Sequence, residues 1–430
     1  MPSADVRIGL AAARARFGAP GTVSGVPEVA YDDLFLIMAV ATAIPVLLSL
    51  APRLPLPSAV VEILAGIALG PVVLNWIDPE TVTIEVFATF GLAYLLFVAG
   101  LELDLRALIH PRLVLLLAAF GLTLVLALAI DTVLGVAGVV QTPLFVAIVL
   151  SATALGVLTP ILKDQGLLGR EFGQIVFAAC AIAEVVPIVL LSVFFAVGDA
   201  TPALQVVKIL AVAGVAGVVS LVLARAALHA RVTDRFTRLD KTTAQIRVRE
   251  TVLILVGLMA IAGGVGVEII LGAFVAGVAI ATGRRRDHSS ERYYERVEAV
   301  GFGLFIPVFF VSTGLAFDIS SLTESIWTLL EVPLYLALML IIRGLPALIV
   351  YRRMLTRAES VAAGFFQATN LSFIVAATAI GLELGKIQPG DATALLAAGM
   401  LSVILYPQIG SVIARRYGTP DPTLPQTTPN

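Results

Sequence analysis

Two acidic residues and one arginine stand in segments that are otherwise apolar enough to cross a membrane. Glu184 is the only charged residue in FAACAIAEVVPIVLL, Glu62 lies in PSAVVEILAGIALGP, and Arg343 lies in LMLIIRGLPALIV. A charge at membrane depth costs about 2.5–3.5 kcal/mol on insertion scales, so such residues are candidates for a functional role. Glu184 is the strongest candidate because it lies near the middle of its segment. The alternatives for Glu184 are a structural ion pair with Arg343 or a carboxyl group that stays protonated.

A proline close to Glu184 leaves a backbone carbonyl oxygen without a partner beside this carboxylate. Pro187 has no N–H, so the carbonyl of Ala183 loses its partner within the helix. Carboxylates and carbonyls released from a helix are the oxygen ligands with which transporters coordinate monovalent cations. Glu184 is therefore predicted to bind a monovalent cation or a proton.

Two further apolar segments, VAIVLSATALGVLTPILKD and FFQATNLSFIV, carry neutral polar side chains. Gly156 and Pro160 are placed to interrupt the first helix. Paired interrupted helices in two inverted halves predict a central transport site. Alternatively, the hydroxyls bond back to their own helix or between helices. The candidate ligands in these segments are Ser151, Thr153, Gln367, Thr369 and Asn370.

The composition requires that most of the chain lie in lipid. The 430 residues are 59% hydrophobic and 13% charged, with a mean hydropathy of +1.00, and a soluble domain would need more charge to cover its surface. The net charge of −2 gives no support to a nucleic-acid partner. A membrane helix needs about 20 apolar residues, which predicts an all-α polytopic membrane protein of about thirteen transmembrane helices. The predicted spans are 33–52, 57–75, 82–103, 112–134, 142–163, 172–198, 203–229, 248–266, 268–283, 298–317, 325–351, 358–381 and 391–414.

Lysine and arginine residues are concentrated in every second connection between these spans. The odd-numbered connections and the C-terminal tail carry nearly all of them, as in the stretch from Arg225 to Arg249. Basic connections are cytoplasmic, which predicts a multi-pass protein of the cell membrane with its N-terminus outside and its C-terminus in the cytoplasm. The predicted organisation is an extracytoplasmic segment 1–32, a membrane transporter domain 33–416, and a disordered Pro/Thr-rich tail 417–430.

Five motifs resemble those of the monovalent cation/proton antiporters of the second branch of that superfamily, which include the Kef-type and Nap-type exchangers. They occur in family order across the hydrophobic chain: Pro57–Pro71, Leu95–Leu105, Leu150–Ala154, Leu271–Gly277 and Ile306–Asp318. The resemblance implies an NhaA-like antiporter fold with inverted repeats, a core and a dimerisation domain, two crossed interrupted helices and an elevator-like motion. It also implies a homodimer in the lipid bilayer that needs no cofactor.

The resemblance also assigns roles to particular residues. The acidic pair of the family falls on Ala183 and Glu184, its membrane lysine or arginine on Arg343, and its crossed-helix polar residues on Ser151, Thr153 and the stretch from Gln367 to Asn370. Ala183 departs from the family, because alanine can neither titrate nor donate a hydrogen bond. With the usual acidic partner missing, Arg343 is predicted to form a structural ion pair with Glu62. The alternative is that its side chain extends towards the cytoplasmic face.

Together these features predict an antiporter, rather than an enzyme, that exchanges Na⁺ or K⁺ for protons and contributes to pH homeostasis. Glu184 would bind either a proton or the cation, never both, and a single titrating carboxylate predicts electroneutral exchange. A carrier of an organic solute on the same scaffold is the main alternative, since the altered acidic pair could reflect another substrate. An intramembrane enzyme is disfavoured because the three histidines fall in predicted cytoplasmic connections and the sequence has no HExxH or GxSxG motif. A passive channel is left open.

Overall fold

The computed structural model describes residues 31–50, 57–71, 73–79, 81–102, 112–155, 158, 161–162, 166–167, 170–195, 201–228, 245–283, 288–317 and 326–417. The regular secondary structure of these residues is helical, which confirms the all-α prediction. The predicted segments 1–32 and 417–430 lie almost entirely outside the described residues. The predicted helix breakers Gly156 and Pro160 lie outside them as well.

The helices are numbered in chain order. A π-helical turn at Gly301–Phe305 joins α10 to α11, and a 3-10 turn at Tyr351–Arg353 follows α12. The α-helices of the described residues are α1 Tyr31–Leu50, α2 Ser58–Leu69, α3 Val82–Glu102, α4 Leu113–Val136, α5 Pro143–Ser151, α6 Glu171–Phe194, α7 Pro202–Leu228, α8 Ile246–Gly264, α9 Ile269–Gly283, α10 His288–Val300, α11 Ile306–Leu315, α12 Ile326–Val350, α13 Arg357–Gln367, α14 Ser372–Glu383 and α15 Pro389–Tyr417.

The helix lengths agree with a protein that crosses a membrane many times. Nine helical segments of the described chain are long and apolar enough to do so, and the apolar helices α2 and α9 are shorter. Each predicted span overlaps at least one described helix. The predicted turn at Val267 and Glu268 is confirmed, since α8 ends at Gly264 and α9 begins at Ile269. The structure confirms a polytopic helical membrane protein, while the number of crossings stays a prediction.

The helices pack into two groups that alternate along the chain. The first group contains α1–α3 and α7–α11, and the second contains α4–α6 and α12–α15. Helix α6 contacts α7 and α9, and these contacts join the two groups. Glu184 on α6 and Arg343 on α12 belong to the second group, whereas Glu62 on α2 belongs to the first.

Glycines allow some of these helices to approach backbone to backbone. A Cβ atom at Gly277 on α9 would lie 2.1 Å from the carbonyl oxygen of Phe97 on α3. A Cβ atom at Gly364 on α13 would lie 2.9 Å from the Cα atom of Gly344 on α12. Small residues permit such close helix crossings in a membrane, where packing drives association. The second crossing brings α13 directly beside Arg343, the neighbour of Gly344.

Candidate functional site

Both segments predicted to contain an interrupted helix have a break in the described helix, and the two breaks lie against each other, although the first break precedes Gly156, where it was predicted. Helix α5 ends at Ser151 and is followed by the non-helical residues 152–154, and the non-helical residues 368–371 separate α13 from α14. The amide of Ala154 donates to the carbonyl of Thr369 at 3.0 Å. The Thr153 hydroxyl donates to the carbonyl of Gln367 at 2.6 Å. Polar groups at one interruption are thus satisfied by the other, which is what non-helical backbone at membrane depth requires.

Asn370 links the two interruptions again. Its side-chain amide donates to the carbonyl of Val149 at 3.0 Å, and its backbone amide donates to the hydroxyl of Ser402 on α15 at 3.1 Å. The residue is 1% exposed, and its side-chain oxygen has no hydrogen-bond partner. A buried oxygen without a donor is costly, and a bound cation would remove that cost.

Glu184 lies in the middle of α6, beside the interruption that follows α5. The Thr153 amide donates to the carbonyl of Ala183 at 3.2 Å, and the backbone of Leu155 is hydrogen-bonded to the Glu184 carboxylate. Glu184 is 6% exposed, and its Oε2 atom has no hydrogen-bond partner. Helix α6 continues through Pro187, and the carbonyl that the sequence predicted to be free accepts the Thr153 amide. The Ala183 carbonyl therefore has one lone pair available to a cation, and the Glu184 carboxylate has one oxygen available.

The hydroxyl groups of the predicted site donate hydrogen bonds to backbone carbonyls. Ser151 donates to the carbonyl of Ile148 at 2.8 Å, and Thr369 donates to the carbonyl of Phe365 at 3.3 Å. Both side chains therefore bond back to their own helix, the alternative that the sequence left open. A hydroxyl that donates still has lone pairs, so these oxygens and that of Thr153 remain able to coordinate a cation.

Gln367 holds Arg343, and this arrangement differs from the prediction. The guanidinium donates to the Gln367 carbonyl at 3.3 Å and to its Oε1 atom at 3.1 Å. Tyr351 donates to the same Oε1 atom at 3.3 Å. The side-chain oxygen of Gln367 thus already accepts from two donors, which makes it a weaker candidate as a cation ligand than Asn370. Arg343 is 2% exposed, and the Phe120 ring lies beneath its guanidinium, 5.6 Å from centroid to Cζ.

The predicted ion pair between Arg343 and Glu62 is wrong. Within the described part of the chain, neither Arg343 nor Glu62 is a member of an ion pair. Glu62 is 5% exposed on α2, and α2 packs chiefly against α11 and α1, whereas α12 packs against α4, α13 and α15. The two helices belong to different groups, and both hydrogen bonds of the Arg343 guanidinium go to Gln367. An amide and a carbonyl of Gln367, together with an aromatic face, take the place of a carboxylate.

Glu102 is a neighbour of the site that the sequence analysis missed. It is the last residue of α3, and its charge lies close enough to act electrostatically on Glu184. Its position at the end of a predicted span made it resemble a surface residue, although it lies within the motif Leu95–Leu105. Tyr351 and Ser402 were also missed, because a single polar residue in an apolar helix has no spacing pattern to identify it.

This geometry suits one ion of charge +1. Glu184 supplies one negative charge, and the interruption that follows α5 is hydrogen-bonded both to α6 at Ala183 and to the interruption between α13 and α14. A charge at this depth is stable only when it is compensated, so the carboxyl group requires either a proton or a monovalent cation.

Comparison with known proteins agrees with this geometry. Residues 38–415 match the family model described as a transmembrane sodium/hydrogen exchanger. The chain is 26% identical over 408 residues to the putative Na⁺/H⁺ antiporter YjbQ of Bacillus subtilis (strain 168), covering 90% of this chain and 64% of that protein. It is 27% identical over 372 residues to the Na⁺/H⁺-K⁺ antiporter GerN of Bacillus cereus, covering 83% of this chain and 90% of that protein.

A solved structure has a similar fold. The sodium proton antiporter MjNhaP1 of Methanocaldococcus jannaschii, determined at pH 8, superposes with a TM-score of 0.61 at 17% identity. The superposition covers 89% of this chain and 97% of that one. At this identity the similarity establishes the fold alone.

Proposed function

Because the chain belongs to the sodium/hydrogen exchanger family, we propose that it exchanges a monovalent cation, Na⁺ or K⁺, for protons across a membrane. The observation that carries this proposal is the buried Glu184 carboxylate, which has an unpartnered oxygen beside the interruption of α5. The relatives support the ion class, since their names describe Na⁺/H⁺ and Na⁺/H⁺-K⁺ antiporters. The predicted cell-membrane location, orientation and homodimer stay predictions.

The mechanism rests on competition at one carboxyl group. A proton on Glu184 removes the charge that holds the cation, and a cation at Glu184 makes protonation unfavourable. When the site opens in turn to the two sides of the membrane, this competition converts a gradient of one ion into movement of the other. Asn370 and the hydroxyl of Thr153 supply neutral oxygens to the cation form.

Exchange is expected to be electroneutral, one cation for one proton. Ala183 cannot titrate, so the site is neutral both as a protonated acid and as a carboxylate–cation pair. A membrane potential does work only on net charge that moves, about 2.3 kcal/mol per elementary charge per 100 mV. Proton flux in proteoliposomes, followed by dequenching of a pH-sensitive dye with each cation added in turn, tests the function. Clamping the potential with valinomycin and K⁺ tests the stoichiometry for Na⁺ exchange.

Glu102 and Glu62 are two carboxylates that could carry an extra proton across the membrane. Equal Na⁺-driven flux at inside-negative and inside-positive potential would support one-for-one exchange. A marked dependence on potential would contradict it, and its loss in Glu102→Gln or Glu62→Gln would identify the second titrating group. If no monovalent cation drives proton flux, the antiporter proposal fails and the organic-solute carrier becomes the better hypothesis.

A further inference from the structure

Another buried carboxylate of the second helix group lies on α4, outside both interruptions. Asp131 on α4 is 0% exposed, and neither of its carboxylate oxygens has a hydrogen-bond partner. It precedes the end of α4 at Val136 by five residues, about 7–8 Å along the helix axis. A bare carboxylate at such a position is strongly unfavourable. The residue must therefore carry a proton or share one with its neighbours.

A buried tyrosine lies near Asp131 and near two further acidic residues. Tyr335 on α12 is 0% exposed, and its hydroxyl has no hydrogen-bond partner. Asp131, Glu331 and Asp391 all lie close enough to Tyr335 to act on it electrostatically. The packing of α12 against both α4 and α15 produces this convergence. We call these four residues the Asp131 cluster: Asp131, Glu331, Tyr335 and Asp391.

The cluster extends from the end of the helices towards the interior. We call the end where α12 and α15 begin the Pro389 face. Asp391 lies in the first turn of α15, where its carboxylate bonds to the backbone of Gln388. Glu331 lies five residues into α12, and both acidic residues are partly exposed. Acidic groups thus run from the Pro389 face inwards to the fully buried Asp131.

The neighbours of Asp131 supply negative charge and no positive partner. In the described chain, none of the three acidic residues of the cluster forms an ion pair. Of the helices packed against α4, α5 has no titratable side chain, α6 carries Glu171, Cys180 and Glu184, and α12 carries Glu331, Tyr335 and Arg343. The guanidinium of Arg343 is committed to Gln367.

We propose that the Asp131 cluster is a second proton-binding site, distinct from Glu184 and loaded from the Pro389 face. Carboxylates that repel one another in a poorly solvated place share protons in order to reduce their net charge. A proton that enters and leaves on the same face moves no net charge across the membrane. The site is therefore compatible with electroneutral exchange.

Infrared difference spectroscopy of the purified full chain, between acid and alkaline pH, tests this site without any transport assay. A protonated carboxyl group has a carbonyl band that is lost when the proton leaves. Asp131→Asn is expected to remove one such band. The matched control Glu85→Gln, which alters an exposed carboxylate in the first turn of α3, should leave that band in place. Glu184→Gln should remove a different band.

The partly exposed members provide a second measurement if Asp131→Asn does not fold. Glu331→Gln and Asp391→Asn each remove a neighbouring negative charge, so the Asp131 band should disappear at a lower pH, with a several-fold weaker proton affinity. Tyr335→Phe should shift the same midpoint. A band unchanged in folded Asp131→Asn, or a midpoint unchanged in both surface variants, would overturn the proposal. Displacement of the band by Na⁺ or K⁺ in the Glu184→Gln background would overturn it in favour of a cation site.

Discussion

Replacing Glu184 with glutamine is expected to reduce cation-driven proton flux to that of protein-free liposomes. Glutamine keeps the size and a side-chain carbonyl but removes the negative charge and the exchangeable proton. Neither the cation form nor the proton form can then be made. The carboxylate is 6% exposed with one unpartnered oxygen, so a neutral side chain should be accommodated in the fold. The measurement is dye dequenching in proteoliposomes, with a thermal melt to verify folding.

Two variants control this experiment. Glu85→Gln makes the same chemical change at an exposed position on α3 and should exchange normally. Glu184→Asp keeps a carboxyl group one methylene shorter and should retain exchange, with a changed apparent KM for the cation. Normal exchange by folded Glu184→Gln would remove Glu184 from the mechanism and transfer the role to another carboxylate, with Glu102 as the nearest candidate.

Replacing Arg343 with alanine is expected to lower the free energy of unfolding by about 2–4 kcal/mol, measured as a lower thermal midpoint in detergent. The change deletes two hydrogen bonds to Gln367. It also leaves a cavity beside Phe120, because the arginine side chain is 2% exposed. Arg343→Met is the matched control, since it refills much of the volume without the charge. Methionine should therefore recover part of the lost stability.

The same experiment distinguishes the two accounts of Arg343. An ion pair with Glu62 would make Glu62→Ala partly rescue Arg343→Ala. The structure places the two residues in different helix groups, so their effects should add within about 0.5 kcal/mol. Clear rescue by the double variant would contradict the contacts described for Gln367. Exchange should also weaken in Arg343→Ala, because Gln367 borders the interruption between α13 and α14.

Structural features that depend only on a residue's neighbours along the chain were predicted well. Long apolar runs gave the helices. The polar run from Gln367 to Asn370 identified one interruption. The polar residues together with Gly156 and Pro160 identified the segment of the other, and the break that the structure describes lies at residues 152–154. Both interruptions are present and in contact. The position of Glu184 inside an apolar segment located it in the middle of α6.

Contacts between distant helices could not be predicted in the same way. Arg343 was assigned a carboxylate partner because a buried positive charge is usually paired with a negative one. The packing of α12 against α13 provides the amide oxygen of Gln367 instead. Nothing in the sequence states that α2 and α12 lie in different groups. Asp131 and Tyr335 were not singled out, because their relation depends on the crossing of α4 and α12.

The central claim is that a proton and a cation compete for Glu184, and proton release on cation binding tests it most directly. Purified protein in weakly buffered detergent is mixed with NaCl or KCl across a pH series, with choline chloride as the control salt, and released protons are counted. In the acidic part of the series, where Glu184 carries a proton, we expect saturable release of about one proton per bound cation, and release should decline at alkaline pH, where the proton has already left. The release should be absent in Glu184→Gln and unchanged in Glu85→Gln. Cation binding without proton release throughout the pH series, or equal release from folded Glu184→Gln, would contradict competition at Glu184.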